Sequence, residues 1–203
     1  MYSEERKFTF TKSDASILNV IVRSPDLSSS SHYGQYTWKC AEALSSFVAS
    51  NSELIAGRRV LELGAGTALC GLVAALCGAT WVTCSDNDVA LLHDLQENIR
   101  LNNLSNVSFC SVDWNHPSAS RLSFDVLLAA DCLFDKSVYE PFIRTVSMLM
   151  SAMPQSFTLM AVENRRSFVD VSTLMKKYFL KTTLQAVADE EFENVQIYRV
   201  DVA

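Results

Sequence analysis

The alternation of hydrophobic and polar positions divides most of the chain into short apolar strands separated by amphipathic helices. Apolar runs of about four to eight residues are typical of buried strands, and apolar residues three or four apart are typical of helices. This pattern predicts strands at Val60–Leu63, Trp81–Ser85, Val107–Val112, Val126–Ala130 and Phe157–Val162. It predicts helices at Thr67–Cys77, Val89–Leu101, Tyr139–Met150 (beginning near Pro141) and Phe168–Phe179. Apolar strands that alternate with helices form a mostly parallel, doubly wound α/β sheet with helices on both faces.

The two ends of the chain follow a different pattern. Two short strands are predicted near the start, at Lys7–Phe10 and Ile17–Val22, and an antiparallel hairpin is predicted at the end, at Leu180–Val187 and Val195–Val202. Between the first pair and the main body lie a serine-rich loop and a helix, at Ser24–Ser31 and Trp38–Ala49. We expect residues 1–32 to belong to the same domain as the main body, residues 33–203.

Composition narrows the class of protein. Of the 203 residues, 49% are hydrophobic and 20% are charged, as in globular proteins. The net charge of −6 makes nucleic acid an unlikely ligand and suits a cationic partner. No apolar run is long enough to span a membrane. Six cysteines without a C-x-x-C pair and three histidines without ligand spacing predict no disulfide framework, no metal site and a cytoplasmic or nuclear location.

Glycine is scarce and clustered. Four of the six glycines fall within fifteen positions, at Gly64, Gly66, Gly71 and Gly78. The first two follow the predicted strand Val60–Leu63 and precede a helix, so they form a tight turn at the carboxyl end of the sheet, where open α/β sheets bind ligands.

The residues around this turn argue against phosphate ligands. A dinucleotide fingerprint requires a third glycine where the chain has Leu69, and a P-loop requires lysine where it has Leu72. Glu62, two residues before the turn, would repel an anion and attract an ammonium group.

Acidic residues recur where successive predicted strands end: Glu62, Asp86, Asp113 and Asp131. Asp86 lies 20 residues after Gly66, where a carboxylate can accept the hydroxyls of a ribose. One such residue is often a helix cap, and for Asp113 that interpretation is as good as a binding role. Four at one edge of a sheet predict a binding site.

These residues resemble the motifs of class I S-adenosylmethionine-dependent methyltransferases, whose fold is Rossmann-like. Within that class, the chain from residue 34 to 200 is similar to methyltransferase-like family 16, and most of all to its methyltransferase-like 23 branch. The segments that carry this likeness are Tyr36-Thr37-Trp38, Ala130-Asp131-Cys132-Leu133-Phe134 and Glu163-Asn164-Arg165. That branch is associated with protein arginine methylation, and neighbouring branches modify lysine on chaperones and translation factors.

The resemblance implies that S-adenosyl-L-methionine is the cofactor and assigns its contacts. Glu62 and the turn Gly64-Ala65-Gly66 would hold the methionine moiety, and Asp86 the ribose. Trp114 and Asp113 would flank the adenine, and Trp38 would cover the cofactor. Ala130 would be a further cofactor-binding residue. Each tryptophan can also be a core residue, and for Trp81, inside a strand, the core is our prediction.

The resemblance places catalysis at Asp131. The family pattern is an acid, two residues and an aromatic residue, and Phe134 stands where many members have tyrosine, so a mechanism that needs a phenol is in doubt. Methyl transfer needs an aligned nucleophile more than acid–base help, and a carboxylate can orient a lysine or arginine nitrogen. Glu163 is a second candidate, with a surface ion pair to Arg165 or Arg166 as the alternative.

The predicted activity is methyl transfer to an arginine or lysine side chain of a protein, for which a chaperone, a translation factor and a histone are candidates. Two alternatives remain at this point: a small-molecule methyltransferase, and a cofactor-binding partner protein without turnover.

Overall fold

A computed structural model describes residues 3–25, 33–117, 122–163, 171–187, 192 and 194–203. Its elements are β1 (Ser3–Thr11), β2 (Ile17–Pro25), α1 (Lys39–Ser50), β3 (Arg59–Leu63), α2 (Leu69–Leu76), β4 (Trp81–Asp86), α3 (Leu91–Leu101), β5 (Val107–Ser111), β6 (Val126–Ala130), α4 (Lys136–Ala152), β7 (Phe157–Glu163), α5 (Val171–Lys177), β8 (Leu180–Val187) and β9 (Val195–Val202). The predicted alternation of strands and helices is confirmed.

Seven strands form one sheet in the order β5-β4-β3-β6-β7-β9-β8. The strands from β5 to β7 are parallel, and β9 pairs antiparallel with both β7 and β8. The chain runs outward from β3 to β5 and then returns to β6 on the other side of β3. A topological switch point therefore lies between β3 and β6, and such points are where open α/β sheets bind ligands.

Alternating side chains of the sheet build a separate core on each face. In β6, Val126 and Leu128 belong to the core under α1 and α2, whereas Leu127 and Ala129 belong to the core under α4. Helices on both faces bury β6 almost completely, which explains why its sequence is continuously apolar.

The N-terminal strands form a two-stranded antiparallel sheet, as predicted, but each strand is longer than predicted. Phe8 and Phe10 of β1 point into the core beneath α1, while the intervening Lys7 and Thr9 are exposed. The predicted serine-rich loop is wrong at Ser24 and Pro25, which belong to β2, and its remaining residues lie outside the described part of the chain.

The start of α4 differs from the prediction. The helix begins at Lys136, because the carboxylate of Asp135 accepts a hydrogen bond of 2.8 Å from the backbone N–H of Ser137 and caps the first turn. Pro141 consequently lies inside the helix. The predicted last helix is shorter in the structure, where α5 covers Val171–Lys177, and residues 168–170 lie outside the described part.

The prediction that Trp81 is a core residue is wrong. It is the first residue of β4, its side chain is 46% exposed, and its indole N–H donates to the hydroxyl of Ser108 at 3.0 Å. A position at the end of a strand leaves an aromatic ring outside the layer that the helices cover.

Phe142 of α4 offers a test of the second core. It is fully buried and its ring packs edge-to-face on Trp114, with 5.0 Å between centroids. We expect Phe142→Ala to lower the free energy of unfolding by about 3–5 kcal/mol, because it removes packing and leaves a cavity. Urea unfolding would measure the loss. Phe179→Ala, at a phenylalanine that is 76% exposed, is the control and should change stability little. Equal effects of the two variants would contradict this packing.

Candidate active site

A cavity of about 960 Å³ opens at the carboxyl ends of the central strands. The four predicted strand-end acids all line it, because β5, β4, β3 and β6 are neighbours in the sheet. The described lining also includes Asp88 and Asp135, which the sequence analysis did not single out, and contains neither lysine nor arginine. The resulting negative potential favours a cationic ligand.

The turn between β3 and α2 forms the floor of this cavity. Gly64 and Gly66 have φ of +63° and +52°, a backbone region that favours glycine. A Cβ on Gly66 would also lie 2.8 Å from the backbone oxygen of Gly34. The N–H of Ala65 donates to the carbonyl of Ser85 at 2.9 Å, which fastens the turn to the neighbouring strand.

Asp86 is placed beside this turn, as predicted, and it also has a structural role. One carboxylate oxygen accepts from the N–H of Gly66 at 3.0 Å, and the other accepts from the N–H of Asp88 at 3.1 Å. Each oxygen retains acceptor capacity for a further donor. The side chain therefore holds the turn and still presents its carboxylate to the cavity.

Glu62 lies under the turn and is 3% exposed. Its carboxylate accepts from the N–H of Gly71 at 3.0 Å, and a Cβ on Gly71 would approach the same oxygen to 2.6 Å. Burial raises the pKa of Glu62 to about 7, although the bonds from Gly71 and from the thiols of Cys84 and Cys70 oppose that rise. Within the described part of the chain no ion pair involves Glu62. A cationic group in the cavity would supply the missing counter-charge.

One wall of the cavity is formed by the loop after β5. The Trp114 ring lies beside the turn, so that a Cβ on Gly64 would be 3.0 Å from its Cζ2. Asp113 accepts from the N–H of Asn115 at 2.8 Å and lies 3.0 Å from Nδ1 of His116. Those bonds, His116 first, lower the pKa of Asp113. Asp113 thus stabilises the turn that follows it while it lines the cavity; no helix begins within the described residues of this turn, so the alternative interpretation as a helix cap is wrong.

The opposite wall precedes α1. Trp38 is 38% exposed, lines the cavity and contacts Tyr36 edge-to-face, with centroids 4.9 Å apart. Between them, the hydroxyl of Thr37 is buried and lies 2.9 Å from the hydroxyl of Thr67. That contact fixes the aromatic pair relative to the glycine turn.

Asp131 follows β6 directly, next to the turn. Its φ of +53° is rare for a residue with a side chain, and its N–H donates to the carbonyl of Ala161 at 3.1 Å. Strained backbone of this kind is concentrated at functional sites. Ala130, Cys132 and Phe134 line the cavity around it, and Phe134 is 54% exposed. Cys132 was not predicted as a cavity residue; its buried thiol donates to the carbonyl of Leu63 at 3.2 Å.

Glu163 is not brought to this cavity. It ends β7, opposite Val195 of β9, and the described lining does not include it. Residues 164–166 lie outside the described part, including both arginines of the alternative ion pair, so the role of Glu163 stays a prediction.

The described residues contain no cluster of His, Cys, Asp and Glu that could hold a metal ion. The same part of the chain contains no helix that could cross a membrane.

The burial of Glu62 generates a pH prediction. The folded chain keeps this carboxyl protonated up to about pH 7, whereas the unfolded chain loses the proton near the ordinary value of 4.5. Between those values the folded state binds more protons, so this group lowers the free energy of unfolding as the pH rises from 4.5 to 7. Glu62→Gln should flatten that part of the stability profile of the ligand-free protein. Urea titrations at pH 5 to 8, on the parent chain and the variant, would measure it; parallel profiles would contradict the predicted ionisation.

The sequence has curated relatives among protein methyltransferases. Histone-arginine methyltransferase METTL23 of Xenopus laevis is 30% identical over 155 residues, which cover 74% of this chain and 66% of the relative. Calmodulin-lysine N-methyltransferase of Arabidopsis thaliana is 35% identical over 129 residues, which cover 60% of this chain and 42% of the relative. The chain spans between half and two thirds of the length of the first curated relatives.

Among solved structures, the fold matches the 16S rRNA N2 G1207 methyltransferase of T. thermophilus, in complex with AdoMet and guanosine. The TM-score is 0.69 at 17% identity, over 98% of this chain and 51% of that one. A match at such low identity shows similarity of fold alone. This match confirms the predicted Rossmann-like architecture.

The sequence model of a family described as lysine methyltransferase matches residues 25–188, which include the glycine turn, all four strand-end acids and the segment from Asp131 to Phe134. The predicted family is therefore confirmed: the chain belongs to this family of class I S-adenosylmethionine-dependent methyltransferases.

Proposed function

We propose that the cavity binds S-adenosylmethionine and that the chain transfers its methyl group to a side-chain nitrogen of a protein. One observation carries the proposal: a glycine turn and four strand-end carboxylates meet at one cavity, and one of those carboxylates, Glu62, is buried without a cationic partner among the described residues. Family membership and the relatives' activities support it.

The residues present fit the cofactor. The cavity volume lies within the range of small-molecule sites, about 300–1,000 Å³. Glu62 suits the ammonium of the methionine moiety, and Gly64 and Gly66 let the ligand approach the backbone without a Cβ. Asp86 has acceptor capacity left for ribose hydroxyls, and the Trp114 ring, which lines the cavity, offers an aromatic surface to the adenine.

Bound S-adenosylmethionine supplies a methyl group on a positively charged sulfur, which a nitrogen lone pair can attack. The chain has to bring that nitrogen close, align it and give its proton a destination. A carboxylate oxygen of Asp131 can hold a cationic lysine or arginine side chain by a charge-assisted hydrogen bond and can accept the proton that the nitrogen loses. Phe134 and Trp38 offer exposed aromatic faces at the same cavity, to which a cation is attracted.

The absence of a hydroxyl group at Phe134 is compatible with these roles, because Asp131 holds the substrate nitrogen and accepts its proton. A phenylalanine can shape the entrance and contact a cation, but it neither donates nor accepts a hydrogen bond. Catalysis then depends on position and on the Asp131 carboxylate, and both lysine and arginine targets satisfy that chemistry.

The substrate class follows from the same surface. The described lining carries six carboxylates and neither lysine nor arginine, which suits a basic segment of a protein. Histones, chaperones and translation factors are the candidates that we propose.

The six cysteines are free thiols, five of them buried, which supports a reducing compartment, the cytoplasm or the nucleus.

Ligand preference is the first test. Calorimetric titration should show binding of S-adenosylmethionine and S-adenosylhomocysteine, and no appreciable binding of NAD or ATP, because Leu69 and Leu72 replace the residues that phosphate sites require. Binding of NAD without binding of either sulfur-containing ligand would refute the proposal.

Asp86→Ala should weaken S-adenosylhomocysteine binding by about ten- to a hundredfold in the same titration, because the variant loses the carboxylate that accepts the ribose hydroxyls.

Asp131→Asn separates substrate chemistry from cofactor binding. The amide keeps the shape of the side chain and loses the charge, so methyl transfer should fall by about a hundred- to a thousandfold while cofactor affinity stays nearly unchanged. Transfer of radiolabel to proteins of a methyl-depleted lysate would measure activity, and calorimetry would measure binding. Asp14→Asn, in the turn of the N-terminal hairpin, is the matched control.

The other possible results of the binding and methyl-transfer measurements distinguish the remaining alternatives. Equal loss of binding and activity in Asp131→Asn would make Asp131 a cofactor residue, and full activity would move the catalytic assignment to Glu163. A labelled small molecule would indicate the small-molecule alternative, and binding without any transfer would indicate the partner protein without turnover.

A further inference from the structure

Asn98 is a polar side chain in a place that normally holds an apolar one. It lies in the last turns of α3 and its exposed fraction is 0%. Burying an amide is unfavourable unless its donors and acceptor are bonded. The contacts that satisfy Asn98 therefore show what holds α3 at this point.

Asn98 of α3 and Asn102, the residue that follows the last turn of α3, bond to the free edge of β2 where a third strand would otherwise pair. The Asn98 side chain accepts from the N–H of Arg23 at 2.7 Å and donates to the carbonyl of Arg23 at 3.4 Å. Asn102, one turn later, accepts from the N–H of Ile21 at 2.9 Å and donates to its carbonyl at 2.6 Å. Four residues of helix rise about 6 Å and two residues of strand about 6.6 Å, so both pairs can form together.

Asn98 makes one contact that Asn102 does not. Its Nδ2 also lies 3.4 Å from the carbonyl of Thr67, within the turn between β3 and α2. Thr67 is held on another side by the hydroxyl of Thr37, and the preceding Gly66 is held by Asp86. The amide thus joins three parts of the chain: the N-terminal hairpin, α3 and the glycine turn.

We propose that Asn98 is a positioning residue for the cofactor cavity, through which the N-terminal hairpin holds the glycine turn in its binding conformation. This inference rests on the function proposed above. A turn that populates its binding conformation less often binds its ligand proportionally more weakly. Removal of the Asn98 amide should therefore affect affinity as well as stability.

The test compares Asn98→Ala with Asn102→Ala, because both variants lose two bonds to β2. Asn98→Ala also loses the bond to Thr67, whereas Asn102→Ala also loses a bond of 2.8 Å from its Nδ2 to the carbonyl of Asn98, which does not involve the glycine turn. With S-adenosylhomocysteine as the probe, calorimetry should show binding weakened by about three- to tenfold in Asn98→Ala, the range for one hydrogen bond, and within about twofold of the parent in Asn102→Ala. Hydrogen exchange of the ligand-free variants should show faster exchange at the amides of Ala65, Gly66 and Ala68 in Asn98→Ala only. Equal effects of the two variants on both readouts would overturn the inference.

Hydrogen exchange of the parent chain provides a second test that needs no variant to fold. The amides of Arg23 in β2 and of Gly66 in the turn should share one opening free energy, because opening one part breaks the Asn98 contacts of the other. Independent opening would also overturn the inference. A parent chain that fails to bind S-adenosylhomocysteine would refute the proposed function, whereas the exchange pattern would still decide the role of Asn98.

Discussion

The turn between β3 and α2 has to reverse the chain while keeping its backbone open to a ligand, and the rest of the site is arranged around that requirement. Gly64, Gly66 and Ala68 all have positive φ, a conformation that costs free energy wherever a side chain is present. The turn persists because its neighbours fix it. Ser85 and Asp86 of β4 bond to it from one side, and Thr37 bonds to it from the other. The sheet order matters for function because it brings β4 and β6 to either side of this turn.

The same arrangement concentrates negative charge. Folding places six carboxylates around one cavity and buries one of them, Glu62, without a compensating cation in the described structure. This is unfavourable for the ligand-free fold, and burial raises the pKa of Glu62 to about 7 for the same reason. A cationic ligand relieves both the burial of charge and the mutual repulsion of the carboxylates. Ligand binding and folding stability are therefore linked at this site, and the free energy of unfolding should rise with the logarithm of one plus the ratio of ligand concentration to dissociation constant.

Much of the fold could be predicted from the sequence because the central strands β3, β6 and β7 are almost fully buried. The bounds of β6, β8 and β9 agree with the prediction, since apolar runs and strict alternation mark strands well. The start of α4 could not be placed, because Pro141 suggested a helix start and the Asp135 cap lies in a polar stretch. Trp81 was misplaced because a sequence pattern does not show which end of a strand the helices leave uncovered.

Some residues of the site could likewise be predicted from the sequence, and others could not. The strand-end acids were predictable, since parallel strands bring their carboxyl ends to one edge of the sheet. Glu163 was predicted by the same rule, but β7 lies one strand further from the turn than β6, and the described cavity does not extend to it. Asn98 could not be predicted: in sequence it is one more polar residue in an amphipathic helix, and the strand it satisfies lies 75 residues earlier. Its importance comes from a contact between distant segments, so only the structure distinguishes it from the equally polar residues on the solvent face of α3.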